Sequence, residues 1–380
     1  MSNQPAVVGP DGVARPYIGG QALIEGVMMR SPHAFAAVVR RMNGELVVRE
    51  EPMHDVRRGK LAWPMVRGVV ALVEALKLGT RALRFSADVY ERDLAAQEAE
   101  EEQAKRSASK PSLLSVLSLP IIALVTNEAE LPPAPPEKEG GGKAIVTALS
   151  ILFALGLFIA LPQAFAAGTS ALFDLNLDVR SWGFQALTGG AKLVIVMGYM
   201  LLIRKIPEIY RVFQYHGAEH KSIYTYESGE ALSVENARRK TTLHPRCGTT
   251  FIVMVALVSI FVFTGIGPLL PHFGAGKLAD NVLFFFMKLP FLPLIAAITF
   301  ELQRFLARSS SKNPLRLLLW PGFLVQRITT IEPDDRQLEV ALGALAVTLG
   351  RERQPATETL SEQRYPGYAE LLARAAPARI

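Results

Sequence analysis

The chain has 380 residues, is 50% hydrophobic and carries a formal net charge of +6 at pH 7. This composition fits either a soluble protein with a large core or a multi-pass membrane protein. The single cysteine excludes an intrachain disulfide, which suits a reducing compartment. The chain lacks zinc-finger spacing and a basic stripe interleaved with aromatic residues, which argues against nucleic acid as a partner.

Residues 1–62 predict a small β-rich cytosolic unit. The dipeptide Asn43-Gly44, a strong hairpin signal, stands between two runs of strand-forming residues. Upstream, Gly19 and Gly20 lie among further strand formers, where paired glycines permit close backbone approach or positive φ.

Residues 63–126 predict amphipathic or interfacial helices. Apolar residues recur at helical spacing from Val66 to Leu83, but charged residues interrupt them too often for a membrane span. Residues 127–143 are rich in proline and glycine and predict a flexible linker.

Residues 144–301 predict a transmembrane region. Four apolar runs are long enough for the hydrocarbon thickness of a bilayer, at 145–167, 187–203, 251–271 and 282–300. The predicted fold class is therefore an α-helical integral membrane protein with about four transmembrane helices. A small β-rich N-terminal cytosolic unit and cytosolic amphipathic helices complete it.

Basic residues predict the orientation of these spans. The loop at 205–250 is rich in lysine and arginine, whereas the short loops at 171–186 and 272–281 carry only Arg180 and Lys277. The positive-inside rule then places both termini and the long loop on the cytoplasmic side. The predicted location of the spans is the inner (plasma) membrane of the cell. The lipid bilayer, with its anionic headgroups, is the first predicted partner. The pattern does not indicate an oligomeric state.

The C-terminal part predicts a membrane-proximal segment and an amphipathic helix at 302–350. Residues 314–330 are apolar and basic, which is typical of a segment lying on the membrane. Pro333 and two following acids open a helix to about Leu349, because proline suits the first turn and acids suit the positive end of the dipole. Residues 351–380 predict a tail.

The most informative stretch is the segment from Tyr215 to Lys221 in the long loop. His216 and His220 are four residues apart, so they share one face of a helix with Cβ atoms roughly 6 Å apart, close enough to bind one metal ion. The order His-x-x-Glu-His is also an inverted zinc-protease pattern, in which Glu219 would be the catalytic base. The alternatives are hydrogen-bonded core histidines and a surface ion pair of Glu219 with Lys221 or Arg246.

A second cluster, His244 to Thr249, follows in the same loop. His244 and Cys247 are candidate metal ligands, and zinc is the ion that best suits imidazole and thiolate. The alternatives are a loop histidine bound to backbone and a small apolar residue at the start of a span. Arg246 is a candidate for binding an anionic substrate group, or it extends to the membrane surface without one.

Glu25, in the N-terminal unit, is a further candidate catalytic residue. It is flanked by glycine and apolar residues, and a carboxylate buried in such surroundings usually has a partner or a chemical task. The alternative is an ion pair with Arg30.

These motifs resemble those of the YqhQ-type family of uncharacterised multi-pass bacterial membrane proteins. Four blocks carry the resemblance: Gly19 to Arg30, Tyr215 to Lys221, His244 to Thr249, and Gln326 to Pro333. Two shorter motifs also match, Pro64-x-x-Arg67-Gly68 and Phe300-Glu301-x-x-Arg304. The resemblance implies a metal-dependent enzyme whose site would rest on His216, Glu219, His220, His244 and Cys247.

Two functions follow as expectations. The first is a membrane enzyme, hydrolase-like, in which a divalent metal activates water and Glu219 is the base. Its substrate would be a lipid, a lipid-linked metabolite or a membrane-tethered peptide. The second is a non-catalytic scaffold or assembly factor. Structural zinc sites take four protein ligands, and the three histidines with Cys247 would supply four.

Overall fold

The computed structural model describes residues 6–53, 66–104, 156–175, 177–269, 276–308, 314–353 and 359–375, with a few single residues between these segments. The predicted linker at 127–143 and the start of the first predicted span lie outside the described residues. The strands are β1 Ala6–Val8, β2 Ala14–Pro16, β3 Gly19–Leu23, β4 Gly26–Arg30, β5 Ala34–Arg40, β6 Leu46–Pro52 and β7 Leu360–Tyr365. The α-helices are α1 Val66–Ala104, α2 Leu161–Leu172, α3 Trp182–Ile203, α4 Pro207–Glu227, α5 Val234–Arg238, α6 Gly248–Ile266, α7 Lys277–Lys288, α8 Leu292–Arg308, α9 Trp320–Thr329, α10 Asp335–Arg353 and α11 Tyr368–Ala375.

An antiparallel sheet confirms the predicted β-rich N-terminal unit. Its five strands run in the order β3-β4-β5-β6-β7, and β1 and β2 form a separate two-stranded ribbon. Gly44 has a φ of 92° in the turn between β5 and β6, a conformation that glycine adopts readily. The fifth strand comes from residues 351–380, the predicted tail, because β7 pairs with the otherwise unpaired edge of β6.

Helices cover both faces of this sheet. On one face α10 packs against β4 and β5, and its Leu342 is fully buried in one cluster with Val38. On the other face Phe85 of α1 packs in a second cluster with Phe35. Successive strand residues point to opposite faces. Residues 34–39 of β5 are therefore all buried.

Two to three candidate membrane spans are present in the described part of the chain, against four predicted. Helix α3 has 22 residues and α6 has 19, and both are apolar enough to cross a membrane. A third span would join α7 to α8 through a bend of 50° at the 3₁₀ turn Leu289–Phe291. Helix α2, in the first predicted span, has 12 residues. These helices indicate a membrane protein.

Helix α1 links the sheet to the apolar helices. It has 39 residues, which is about 58 Å at the usual rise of an α-helix. Near its start, Arg67 donates to both carboxylate oxygens of Glu301 on α8, at 2.6 and 2.5 Å. A Cβ added to Gly68 would lie 3.1 Å from the Cα of Ala297, so this glycine lets the two helices approach closely.

Candidate metal centre

Helix α4 carries both histidines of the first motif. Pro207 occupies its first turn, where the missing N–H has no intrahelical partner in any case. From Tyr215 onward most residues are buried, because this half of the helix packs against α10 and β3. A Cβ at Gly217 would overlap the carbonyl oxygen of Ile331, so glycine is required where the segment after α9 crosses α4.

The structure brings His216, His220 and Cys247 together. One ligand atom from each lies within 4.8 Å of the other two, an arrangement that could hold a metal ion. Nε2 of His216 is 3.1 Å from Sγ of Cys247, and the two imidazole centroids are 4.5 Å apart. His220 is 1% exposed and Cys247 is 6% exposed. The group therefore sits in a nearly closed site beside the first turn of α6.

Backbone carbonyls orient the two imidazoles. Nδ1 of His216 lies 2.9 Å from the carbonyl oxygen of Thr329, and Nδ1 of His220 contacts the carbonyl oxygen of Thr242. A carbonyl oxygen only accepts, so each Nδ1 carries the proton and each Nε2 is the ligand atom. Metal-binding histidines commonly have such a second partner.

Two glutamines that the sequence analysis missed hold the second cluster in place. The amide of Gln326 accepts from His244 N and donates to His244 O, both at 2.7 Å. The Gln303 amide donates to the carbonyls of Pro245 and Cys247, at 3.1 and 3.2 Å. Both glutamines are buried. Two features of the sequence could have indicated these glutamines. Gln326 opens one of the four blocks that carry the family resemblance, and Gln303 is a polar residue just after an apolar run.

Glu219 lies beside the three candidate ligands. It is 6% exposed, and its Oε2 is 4.0 Å from Nε2 of His216. A Cβ at Gly20 would lie 2.6 Å from Cγ of Glu219, so the bare backbone of β3 forms the wall behind this carboxylate. Burial raises the pKa of Glu219. Lys221, an alternative partner on sequence grounds, pairs instead with Glu332.

His244 is close to the three ligands but lies outside their group. Its ring centroid is 5.5 Å from that of His220. Its Nε2 is 3.7 Å from Oε2 of Glu227 and, among the described residues, has no hydrogen-bond partner. Nδ1 accepts from Arg246 N at 3.4 Å. Burial lowers the pKa of His244 to about 4, which keeps the ring neutral.

Arg246 and Glu25 are each engaged in an ion pair within the protein. The guanidinium of Arg246 binds Glu227 and lies 5.3 Å from the ring centroid of Tyr17. Glu25 accepts from two nitrogens of Arg211 at 2.5 Å and from the hydroxyl of Tyr215 at 3.3 Å. Glu25 therefore contacts α4 just before His216 and is not one of the grouped ligands.

Cys247 and His216 stabilise each other's charged forms. Burial alone would lower the pKa of His216 and raise that of Cys247. Their mutual attraction reverses this, raising the pKa of His216 to about 9 and lowering that of Cys247 well below its ordinary value. Cys247 also caps α6 and accepts from Thr249 N at 3.4 Å. A helix N-terminus favours a thiolate, the form that binds metal or attacks an electrophile.

The donor set fits zinc. Imidazole nitrogens and a thiolate are ligands that zinc prefers, and the backbone partners of the two imidazoles orient them as in known metal sites. Zinc binding would displace the proton that His216 shares with Cys247, because an imidazole binds metal in its neutral form. With Glu219 beside them, the group could bind an ion and also provide a base.

Comparison with known proteins places the chain in a family. Residues 63–351 match a family described as a protein of unknown function, DUF1385. The chain is 31% identical over 350 residues to the uncharacterized protein YqhQ of Bacillus subtilis (strain 168), covering 92% of this chain and 95% of that protein. No solved structure matches. The resemblance to YqhQ-type proteins is confirmed, and the chain belongs to the DUF1385 family.

Proposed function

We propose that this protein is a zinc-dependent hydrolase that acts at the cytoplasmic surface of a bacterial inner membrane. Its substrate is a lipid, a lipid-linked metabolite or a membrane-tethered peptide. The observation that carries the proposal is the convergence of His216, His220 and Cys247 within 4.8 Å of one another. Each imidazole also has its other nitrogen bound to a backbone carbonyl.

The number of grouped ligands favours catalysis over a structural site. Structural zinc sites are closed by four protein ligands, whereas catalytic sites keep a position for water or substrate. His244 would be the fourth ligand of a closed site, but its Nε2 lies beside Glu227 at 3.7 Å and outside the group of three. This placement argues against the scaffold with a structural metal.

The residues of this chain have separable roles in the proposed reaction. Zinc, when bound, supplies a Lewis acid that activates water. Glu219 is the carboxylate placed to accept a proton, since its Oε2 lies 4.0 Å from the ligand nitrogen of His216. Gln326 and Gln303 hold the segment that carries Cys247, and so position the thiolate.

The position of the centre supports action at the membrane. Cys247 caps α6, a candidate span, and α4 follows α3, another candidate span, after a short turn. We propose four spans in all, and the basic loop between these two supports a cytoplasmic location for the centre and both termini. A substrate anchored in the bilayer would then reach the centre without leaving the membrane.

Metal content tests the proposal. The full chain is purified in detergent and its metals are measured by mass spectrometry, beside the double variant His216→Ala/His220→Ala. We expect about one zinc per chain in the wild type, as a three-ligand site requires, and little in the variant. His33→Ala is the control, because it removes a histidine that contacts Glu352 and lies outside the grouped ligands. This variant should retain the metal. Wild-type protein that remains metal-free after reconstitution would refute the metalloenzyme.

Glu219→Gln separates catalysis from binding. The amide is nearly the same size as the carboxylate but cannot accept a proton as a base. We expect this variant to retain its zinc and to lose hydrolysis of any ester or amide substrate found in a screen of lipids and membrane-tethered peptides. A fully active Glu219→Gln protein would show that another group is the base.

A second candidate function is covalent catalysis by Cys247. Its thiolate faces Nε2 of His216 at 3.1 Å, and the Thr329 carbonyl orients that imidazole. A nucleophile, a base and an orienting group are the parts of a cysteine hydrolase or transferase. Labelling with iodoacetamide distinguishes the two functions. Rapid labelling of Cys247 in protein that has its natural metal content favours the nucleophile, and labelling only after chelation favours the ligand.

A further inference from the structure

Two cations without carboxylate partners lie where α3 ends, and the backbone of a third basic residue contacts one of them. Arg204 caps α3, Lys205 is the next residue, and Arg327 lies in the last turn of α9. Nη1 of Arg204 donates to the carbonyl oxygen of Arg327 at 3.3 Å, which brings the two helix ends together. No acidic side chain in the described segments pairs with any of the three, so their charges are uncompensated within this part of the protein.

Several other arginines in the described segments pair with an acid. Arg67, Arg211, Arg238 and Arg246 each bind a carboxylate of the protein. Like charges held close together repel one another, and an anion bound among them relieves that repulsion. The uncompensated group therefore indicates a site for an anion that the protein does not itself supply.

The surface around Arg204 and Lys205 is concave and has an apolar wall. The pocket is lined by Leu201, Arg204, Lys205, Pro207, Tyr210 and Arg211. Leu201 is 49% exposed on the last turn of a candidate span, where its side chain would meet lipid. Arg211 pairs with Glu25, which leaves Arg204 and Lys205 as the uncompensated cations of the pocket rim. A cationic rim above an apolar wall matches an amphiphile, with its anionic group on the rim.

A simpler explanation is that each basic side chain extends separately from a span end to water, as lysine and arginine commonly do. Two observations are not accounted for by that explanation. The cations come from two helices that a hydrogen bond joins, and the pocket lies beside them with an exposed leucine at its edge. Basic residues at the end of a membrane span attract anionic lipid headgroups.

We infer that this pocket binds the phosphate headgroup of an anionic phospholipid. Arg204 and Lys205 hold the phosphate oxygens, Arg327 at the adjoining end of α9 adds positive charge nearby, and an acyl chain lies along Leu201. The inference does not depend on the proposed hydrolase activity. It does place a lipid near the candidate metal centre, because Arg327 is two residues from Thr329, whose carbonyl binds His216.

Native mass spectrometry of the detergent-purified full chain tests the inference. Phosphatidylglycerol and phosphatidylcholine are added separately at equal concentration, and inorganic phosphate is added in a third arm. We expect phosphatidylglycerol to be retained at least about tenfold more tightly than phosphatidylcholine. The variant Arg204→Gln/Lys205→Gln/Arg327→Gln should remove this preference, because each cation near an anionic headgroup contributes to binding. The control Arg238→Gln/Arg239→Gln/Lys240→Gln removes the same charge and should keep the preference.

Several results would overturn the inference. Equal retention of the two lipids would show that binding does not depend on the charge of the headgroup. An equal loss of binding in the control variant would show that net charge, and not this pocket, is responsible. Inorganic phosphate that binds as tightly as the lipid would identify free phosphate as the ligand. If the triple variant does not fold, the exposed single change Lys205→Glu replaces it, with at least about threefold weaker binding expected. Zinc measured in the same samples reports separately on the metal centre.

Discussion

At the scale of single residues, the absence of a side chain at Gly20 is as important as the presence of Glu219. The carboxylate occupies the space that a Cβ at Gly20 would fill, with only 2.6 Å to Glu219 Cγ. Gly20 belongs to the N-terminal resemblance block, and Glu219 belongs to the histidine block. Their contact joins the glycine-containing strand to the helix that carries two of the candidate metal ligands.

Gly20→Ala should destabilise the protein and displace Glu219. Overpacking a buried site usually costs about 1–3 kcal/mol of unfolding free energy. The control is Gly19→Ala in the same strand, where the nearest atom to an added Cβ is Arg30 Nε at an ordinary 3.4 Å. That change should stay within about 0.5 kcal/mol. Denaturant unfolding in detergent measures both, and equal effects of the two substitutions would contradict the close contact.

His244→Gln should leave the metal content unchanged. Nε2 of His244 lies outside the group of three ligands, so its loss removes no donor atom from the centre. His220→Gln removes a grouped ligand and should reduce zinc by at least about tenfold, as expected for a site with fewer ligands than zinc requires. Metal analysis of the two variants side by side makes the comparison. Loss of zinc in His244→Gln would instead support a closed four-ligand site.

At the scale of elements, two short motifs meet across α1 and α8. The arginine of Pro64-x-x-Arg67-Gly68 binds the glutamate of Phe300-Glu301-x-x-Arg304 at 2.6 and 2.5 Å. Gly68 lets α8 approach, since its added Cβ would lie 3.2 Å from Phe300 Cβ. The segment predicted to be interfacial thus packs against the bent candidate span and is held there by a charged pair.

The Arg67–Glu301 pair should show a measurable coupling energy. The two side chains are 27% and 24% exposed, so solvent screens them only in part. We expect each single change, Arg67→Leu or Glu301→Leu, to lower stability by about 1–2 kcal/mol, between the values for exposed and buried pairs. The double variant should lose less than the sum of the two. A double-mutant cycle with additive losses would show that the pair contributes no net stability.

At the scale of the whole molecule, the candidate centre depends on the joining of distant segments. Two ligands come from α4, the third caps α6, and the carbonyl that orients His216 ends α9, 113 positions further along the chain. A metal bound at this junction would stabilise the folded chain, because the unfolded chain does not assemble the ligands.

Chelation should therefore lower the melting temperature of the wild-type protein. A metal present at a hundred times its dissociation constant contributes about 2.7 kcal/mol, which corresponds to about 3–4 °C for a chain of this size. Thermal unfolding followed by tryptophan fluorescence, with and without chelator, measures the shift. The His216→Ala/His220→Ala variant should not respond. The same shift in both proteins would mean that the chelator acts elsewhere.

The sequence by itself determined the features that depend on local pattern. Helical spacing indicated that His216 and His220 share a face, Asn43-Gly44 marked a hairpin, and long apolar runs marked α3 and α6 as candidate spans. These predictions succeed because turn chemistry, helical period and hydrophobic length are set by residues close together in the chain.

Only the tertiary structure decided which of the candidates meet. It grouped Cys247 with the two histidines and left His244 beside Glu227. It paired Glu25 with Arg211 in an ion pair, and it placed β7, which lies in the predicted tail, beside β6 in the sheet. Gln326, 82 positions from His244, has no local pattern that reveals its role. Such contacts depend on packing between segments that are remote in sequence, and the spacing of residues along one segment carries no information about them.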